Sequence, residues 1–317
     1  MKLKTFTAAL LASAASFAAT LPAQAQDAGT VSLVLGVSGS PFYQALQCGA
    51  MARAEELGLD LSVSAGDQFA ADSQIPVVNA VTAAAPDVAA IVPTDMQALV
   101  QPMRELAERG TKVITIDQTV ADNSFVETEV LTDNEAGGMM AAEVMAEILG
   151  GEGKVLVITQ PPGSLAQDAR TAGFEAKLAE FEGIEYIGAQ YQSDDPQKAA
   201  EIVTSTLSAH PDLAGIFSTN DQGAIGAITG LRQAGAVGRV KMVAYDAASA
   251  EVAALKNGAI QALIAQNPAE EGRVAMDAAL ALINGETLDK TTMTDLVVIR
   301  EGENDKADEY EYIANCM

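Results

Sequence analysis

Short apolar runs rich in β-branched residues recur along the chain and alternate with segments of helical spacing. Nine runs have the length and composition of buried strands: VSLVLGV (31–37), LDLSVSA (59–65), VAAIVP (88–93), KVITID (112–117), KVLVIT (154–159), IEYIGAQY (184–191), LAGIFS (213–218), KMVAYD (241–246) and AIQALIAQ (259–266). Between them, apolar residues three or four positions apart predict helices, as in residues 95–110 and 195–211. This alternation predicts an α/β fold with parallel sheets covered on both faces.

The order of these elements suggests two domains. About four strand–helix units precede residue 125 and about five follow residue 150, and the segment between them (124–138) has the character of an extended crossover. Two doubly wound, Rossmann-like lobes fit this division better than one sheet of ten or more strands, because open sheets of that size are uncommon.

The first 25 residues have the features of a secretory signal peptide: two lysines, an apolar middle and a small-residue end, AQA (23–25). Cleavage after Ala25 would start the mature chain at Gln26. A retained membrane anchor is the alternative, but the apolar part (6–21) is short and is broken by Ser and Thr. We therefore expect an exported protein.

The charge balance is strongly acidic, with 43 Asp and Glu against 18 Lys and Arg and a net charge of −25. Such a surface repels nucleic acid and anionic lipid and favours solubility. We therefore expect no nucleic-acid partner.

The two cysteines suit a disulfide in an oxidising compartment. Cys48 lies in the first helical segment and Cys316 is the penultimate residue. A bridge between them would tie down an acidic tail that has little to bury by itself. One buried thiol and one free thiol in the tail is the alternative.

The residues that follow the predicted strands are unusually polar or aromatic. In open parallel sheets, ligands bind beyond the carboxyl ends of the strands, so these positions are candidates for a binding site. They are Ser40, Phe42, Tyr43, Asp117, Gln118, Asp168, Arg170, Asn220, Asp221, Tyr245, Asp246 and Gln266. Carboxylates, amides and a guanidinium suit ligand hydroxyls, which both donate and accept, and aromatic rings can cover the C–H face of a sugar or polyol.

Ordinary structural roles compete with ligand binding at many of these positions: helix capping, core packing, and hydrogen bonding to loop amides. The capping candidates are Ser40-Pro41 and Asn220-Asp221, and the core or loop candidates are Phe42, Tyr43, Asp117 and Asp246. Their repeated position at strand ends favours a shared site over separate explanations.

No catalytic or cofactor motif is evident. His210, the only histidine, stands between a helix and a strand, where it suits a helix end better than a general base. No Cys or His cluster has metal-ligand spacing, and no glycine-rich phosphate loop follows a strand. We therefore expect neither an enzyme nor a cofactor.

With these residues in place, the chain resembles the type I periplasmic sugar-binding proteins, the ribose-binding-protein-like solute-binding components of ABC importers. The resemblance rests on the order and spacing of segments over nearly the whole mature chain: VSLVLGVSGSPFYQAL, IVPTD, VITIDQ, TDNEAGG, GFEAKL, AHPDLAGIFSTNDQGAIGA, MVAYDA, ALIAQNPAEEG and DLVVIR. It implies two lobes joined by three hinge crossings, with a ligand in the cleft between them.

The resemblance also implies where the lobes and hinge lie. The hinge crossings fall near residues 118–133, 264–268 and 291–297. The N-terminal lobe comprises residues 26–132 and 267–295, the C-terminal lobe comprises residues 133–266 and 296–310, and the tail is 311–317, which a disulfide would tether to the N-terminal lobe.

Matched position by position, the resemblance implies a set of ligand contacts. Phe42 and Tyr43 match the stacking aromatic pair of the ribose binder, and Asp117 matches its hydroxyl-binding aspartate. The remaining matches are Ser40 for an asparagine, Tyr245 for a wall aromatic, and Asn220, Asp246 and Gln266 for polar contacts.

The chain also departs from that pattern. Gln118 stands where the ribose binder has an arginine, Asp194 replaces a wall aromatic, and either Asp168 or Arg170 takes the place of the binding arginine. The loss of a guanidinium and a ring points away from ribose, towards another pentose, a polyol or a related hydroxylated compound.

The function that the resemblance implies is a monomeric periplasmic receptor that delivers a sugar or polyol to an ABC permease in the inner membrane. A sensor for chemotaxis or signalling, including one for a furanone signal, would use the same closed form. A regulator of the lactose-repressor type would carry a DNA-binding domain where the signal peptide stands, and an exported hydrolase is a further alternative.

Overall fold

A computed structural model describes residues 29–313, 315 and 316. The predicted signal peptide, residues 1–25, lies outside these residues. The strands are β1 (Thr30–Leu35), β2 (Asp60–Ala65), β3 (Val88–Ile91), β4 (Lys112–Ile116), β5 (Val126–Thr132), β6 (Gly153–Thr159), β7 (Ile184–Tyr191), β8 (Leu213–Ser218), β9 (Lys241–Tyr245), β10 (Ala262–Ala265), β11 (Thr291–Thr294) and β12 (Val297–Arg300). The helices are α1 (Pro41–Leu57), α2 (Ala71–Ala84), α3 (Val100–Glu108), α4 (Asn134–Leu149), α5 (Leu165–Leu178), α6 (Pro196–Ala209), α7 (Asp221–Gln233), α8 (Ser249–Lys256), α9 (Pro268–Ile283) and α10 (Asn304–Tyr310).

The strands form two six-stranded sheets. The first has the order β2-β1-β3-β4-β5-β11, with every neighbouring pair parallel, and the second has the order β7-β6-β8-β9-β10-β12. In the second sheet only β12 runs antiparallel to its neighbour. The prediction of two doubly wound α/β lobes is confirmed, and the alternative of one large sheet is wrong.

The chain passes between the two sheets three times. It leaves the first sheet after β5, since α4 packs on α5 and β9, and it returns after β10, since α9 packs on α1. It passes back a third time between β11 and β12. Three crossings are therefore confirmed, while the lobe boundaries proposed from the sequence stay a prediction.

Helices α1 and α6 end at residues suited to a helix end. Gly58 follows α1 with φ 68°, a left-handed conformation that glycine adopts without a steric penalty. His210 is the C-cap residue of α6, so its assignment to a helix end is confirmed.

Helices α4 and α5 approach each other unusually closely. A Cβ atom at Gly138 of α4 would lie 2.1 Å from the carbonyl oxygen of Arg170, and one at Gly173 of α5 would lie 2.1 Å from that of Glu135. The absence of side chains at these two positions lets the backbones touch. The position of α5, and of the residues it carries, therefore depends on this contact.

Cys48 and Cys316 form a disulfide, with their Cα atoms 4.8 Å apart. The predicted pairing is confirmed, and the alternative of two unpaired thiols is wrong. The bond fixes the tail to α1 of the first lobe. Just before it, Tyr312 is 5% exposed and packs edge-on against Phe42 at a ring-centroid distance of 5.9 Å. Among the described residues, no helix has the length and apolar character needed to cross a bilayer.

Candidate ligand-binding site

The carboxyl ends of the strands of both sheets face a cavity between the lobes, with about 330 Å³ of space free of protein atoms. It is lined by Ser40, Phe42, Tyr43, Phe69, Asp117, Gln160, Gln167, Arg170, Asn220, Asp194, Asp221, Asp246 and Gln266. Eight of the eleven residues that the resemblance assigned to the ligand thus come together at one place. Their meeting follows from parallel topology, which puts all the strand ends at the same edge of a sheet.

Three assigned residues lie outside the lining. Gln118 accepts a hydrogen bond from Ser164 Oγ at 2.6 Å, and Asp168 accepts one from the backbone nitrogen of Gly163 at 3.0 Å. Tyr245 is fully buried beneath the guanidinium of Arg170. The structure thus places Arg170, rather than Asp168, at the cavity.

Five lining residues were not among those assigned to the ligand. Gln160 directly follows β6, so the strand-end rule itself could have identified it. Asp194 had been noted only as a departure from the family pattern, and Asp221 was a strand-end candidate for which capping was the competing role. Phe69 and Gln167 carried no clear sequence signal.

Three of the cavity carboxylates sit on left-handed backbone. The φ angles are 62° at Asp117, 59° at Asp194 and 91° at Asp246. Such conformations are unfavourable for most residues, although Asp tolerates them better than bulky side chains do. Backbone strain of this kind concentrates at functional sites, where it fixes the direction of a side chain.

Aromatic rings cover one side of the cavity. Phe42 and Tyr43 meet edge to face at 5.2 Å, and the ring of Tyr43 is stacked nearly parallel to that of Phe69, with the ring centroids 6.2 Å apart. Ser40 is the N-cap residue of α1 by position, but its side chain makes no capping hydrogen bond. Its hydroxyl is therefore available to the cavity.

Arg170 is the only cationic side chain of the lining, and it is 2% exposed. Its Nε donates to Asn134 Oδ1 at 2.7 Å, its Nη1 donates to the Thr219 carbonyl at 2.8 Å, and its Cζ lies 3.7 Å from the centre of the Tyr245 ring. These contacts fix the guanidinium plane and leave Nη2 without a hydrogen bond to the described residues. The arrangement presents one fixed donor edge to a ligand.

Asp117 and Asp246 are both nearly fully buried. Tyr43 donates its hydroxyl to Asp117 at 3.2 Å, while Asp246 accepts from Gln266 Nε2 at 2.7 Å and from the Tyr312 hydroxyl at 2.9 Å. Burial raises the pKa of Asp117 to about 6, although the charge of Arg170 opposes that rise. For Arg170, burial disfavours the charge, but the surrounding Tyr245, Asp246 and Asp117 raise its pKa overall.

A second pair of carboxylates, Asp194 and Asp221, lies towards the other end of the cavity. Asp194 accepts from Asn220 Nδ2 at 2.8 Å and from Gln160 Nε2 at 3.2 Å, and burial raises its pKa to about 6. Burial also raises the pKa of Asp221 well above its usual range, and Asp246 raises it further. Asn220 additionally caps α7 by accepting from Gly223 N at 3.0 Å, so capping and cavity lining coexist in one side chain.

The lobes are closed over this cavity. The Met96 backbone nitrogen on the first lobe donates to the Gly163 carbonyl on the second at 3.1 Å, next to the hydrogen bond between Ser164 and Gln118. Thr132, at the first crossing, donates to Gln266 Oε1 at 3.0 Å at the second. Cavity and crossings are therefore linked directly.

Comparisons with known proteins identify the family. The family model described as "Periplasmic binding protein domain" matches residues 31–287. The chain is 28% identical to the ribose import binding protein RbsB of Salmonella typhimurium over 291 residues, which is 92% of this chain and 97% of the relative.

The fold also matches solved structures. An ABC transporter solute-binding protein from Agrobacterium vitis bound with alpha-D-tagatopyranose has a TM-score of 0.88 and 32% identity, and the match covers 90% of this chain and 99% of that one. A solute-binding protein from Burkholderia graminis in complex with D-arabinose has a TM-score of 0.82 and 26% identity over 89% and 98% of the two chains. The chain therefore belongs to the periplasmic binding protein family.

Proposed function

We propose that the protein is the solute-binding component of an ABC importer that captures a small hydroxylated ligand, a sugar or polyol, by closure of its lobes. The observation that carries the proposal is the closed cavity, in which donors and acceptors from both lobes converge beside aromatic rings. Closure would place the ligand between the lobes, so that binding energy stabilises the form that a permease recognises.

The chemistry of the lining supports this ligand class. Asp117, Asp246 and Gln266 offer acceptors and Arg170 offers donors in fixed planes, and a hydroxyl can use both at once. Phe42 and its aromatic neighbours can cover the C–H face of a ring and exclude water. The named relatives bind ribose, tagatose or arabinose, which supports the sugar class and leaves the individual sugar open.

The cellular setting proposed is the periplasm. The protein would reach it through removal of residues 1–25, and it would act as a monomer with a permease of the inner membrane as its partner. We propose import rather than sensing, because the relatives described above are named as import proteins or as ABC transporter components. The ligand would leave chemically unchanged.

Thermal unfolding of ligand-stripped protein tests the proposal. A ligand that binds only the folded state adds about 4 kcal/mol at a thousandfold excess over Kd. Pentoses, hexoses, tetritols, pentitols and furanones would be screened, and we expect a clear rise in Tm for at least one sugar or polyol. NMR of the recovered ligand should show the starting compound.

Matched variants locate the binding. Asp246→Asn should abolish the Tm rise, whereas Glu182→Gln, which removes an exposed acid of the same lobe, should preserve it. No rise in Tm with any compound of the panel, or a rise in Tm that persists in Asp246→Asn, would contradict the proposed site.

A further inference from the structure

The cavity lining has an excess of acidic side chains. Its lining holds four carboxylates, Asp117, Asp194, Asp221 and Asp246, and one guanidinium, Arg170. All but Asp194 are at most 5% exposed, and Asp194 is partly exposed where the cavity meets the cleft mouth. Buried ionised groups are costly unless they are paired, so this imbalance calls for a partner.

Arg170 compensates the acidic side chains at only one end of the cavity. Arg170 lowers the pKa of Asp117, and the acids that act on Arg170 are Asp246 and Asp117. By contrast, the charges that raise the pKa of Asp221 are those of Asp246 and Asp194. The charge that raises the pKa of Asp194 is that of Asp246, so these carboxylates face other carboxylates. The uncompensated charge is therefore localised at the Asp194–Asp221 end.

Free acceptors also gather at that end. Asp194 Oδ2 and Gln160 Oε1 make no hydrogen bond with the described residues, and the oxygens of Asp221 accept only from Gln222, its neighbour in sequence. Ser40, 7% exposed on the facing lobe, also has a side chain without a hydrogen-bond partner in the described chain. These groups are therefore free to bind donors of a ligand.

A protonated amine matches this end better than a hydroxyl does. An ammonium group has three donors and no acceptor, whereas a hydroxyl also turns lone pairs towards the carboxylates. A hydroxyl that donates to a carboxylate also makes a charge-assisted hydrogen bond, but only the ammonium adds a positive charge that attracts both carboxylates.

We propose that the ligand is an amino sugar or amino polyol whose ammonium group lies against Asp194 and Asp221, while its hydroxyls face Arg170, Asp117 and Asp246. This inference rests on the proposed function and narrows its substrate class. It makes the receptor selective for a cationic solute over the neutral compound of the same shape.

Calorimetry of ligand-stripped protein with matched pairs tests the inference. The pairs are galactose and galactosamine, glucose and glucosamine, mannose and mannosamine, sorbitol and glucamine, and inositol and an aminodeoxyinositol. Measurements at pH 7.5 in 0.5 M NaCl screen attraction to the acidic surface. We expect one amine to bind at least about tenfold more tightly than its hydroxyl partner, as a charge-assisted contact predicts.

Asp194→Asn is the decisive variant. Asparagine tolerates the left-handed φ of 59° and keeps an oxygen to accept from Asn220, so the fold should persist. Asp194→Asn should weaken binding of the amine about tenfold and change binding of its hydroxyl partner less than about twofold. Glu182→Gln should leave both affinities unchanged.

Three results would overturn the inference. A neutral sugar that binds at least as tightly as its amine partner, or an equal loss for both ligands in Asp194→Asn, would refute the amine while leaving the receptor function intact. Tight Ca²⁺ binding without any amine preference would replace the amine with a metal cation. Failure of every compound, neutral or charged, would overturn the proposed function and this inference together.

Discussion

A methyl group at Gly138 should force α4 and α5 apart. The Cβ atom of an alanine there would lie 2.1 Å from the Arg170 carbonyl oxygen and 2.9 Å from the Phe174 nitrogen. Both atoms belong to the backbone of α5, so no change of side-chain rotamer relieves the clash. Since ordinary contact begins near 3.4 Å, the two backbones must separate locally by about 1 Å or more.

The size of the effect follows from two opposing contributions. Because the clash is with backbone atoms, overpacking should cost the upper part of its usual range, about 2–3 kcal/mol, and the better helix propensity of alanine offsets about 1 kcal/mol of it. We therefore expect Gly138→Ala to lower the free energy of unfolding by about 1–2 kcal/mol and the Tm by roughly 2–8 °C. Arg170 lies at the contact itself, so its hydrogen bonds to Asn134 and Thr219 should lengthen. Ligand affinity should fall by about tenfold, as for the loss of one such bond.

Chemical denaturation and calorimetry with the identified ligand measure the two effects. Met139→Ala, at the next and exposed position of α4, is the control and should change stability by less than about 0.5 kcal/mol. If Gly138→Ala were as stable as wild type, the close approach of the helices would be refuted. If it lost stability but kept full affinity, the dependence of Arg170 on this contact would be refuted.

Three further changes probe charge, covalent linkage and closure. Burial favours the protonated form of Asp194, so its contribution to the stability of wild type should be lost as pH rises from about 4 to about 6. In urea titrations, Asp194→Asn should match wild type at pH 4 and be more stable than wild type at pH 7, and a difference in unfolding free energy that does not change with pH would contradict this. Cys48→Ser should cost about 2–4 kcal/mol of unfolding free energy and weaken ligand binding because Tyr312 is released, and unchanged denaturation would count against it. Ser164→Ala removes the hydrogen bond to Gln118 between the lobes, so it should weaken ligand binding about two- to tenfold and change the Tm of ligand-free protein by no more than a few degrees. Equal ligand affinities of variant and wild type in calorimetry would refute a role of this bond in closure.

The pattern of apolar runs found nine of the twelve strands that the described residues form, including the edge strands β2 and β7, and missed β5, β11 and β12. All nine predicted runs contain a strand, because most of these strands are central and parallel, are buried on both faces and are apolar throughout. β5 carries Glu127 and Glu129 and was assigned to an extended crossover, while β11 and β12 are four-residue edge strands with exposed positions. β5 is interrupted by acidic residues and β11 and β12 are short, so none of the three presents the long apolar run that this pattern detects.

Strand ends predicted where the site lies more reliably than which way each side chain points. Asp117 and Asp246 line the cavity, but their sequence neighbours Gln118 and Tyr245 do not. The left-handed backbone at Asp117 and Asp246 turns the chain just beyond each strand, so each aspartate and its neighbour point in different directions. Phe69 reaches the cavity from the loop after an edge strand, and its contact with Tyr43 depends on tertiary packing that no local pattern encodes.

The disulfide also orders events in the synthesis of the chain. Its two cysteines are 268 positions apart, and the sequence holds no others. During synthesis from the N-terminus, Cys48 has no possible partner within its own chain until the penultimate residue has been added. Within one molecule Cys48 therefore has a single possible partner, and a chain that stops before Cys316 cannot form this bond. The disulfide between Cys48 and Cys316 thus marks a chain whose synthesis has reached residue 316.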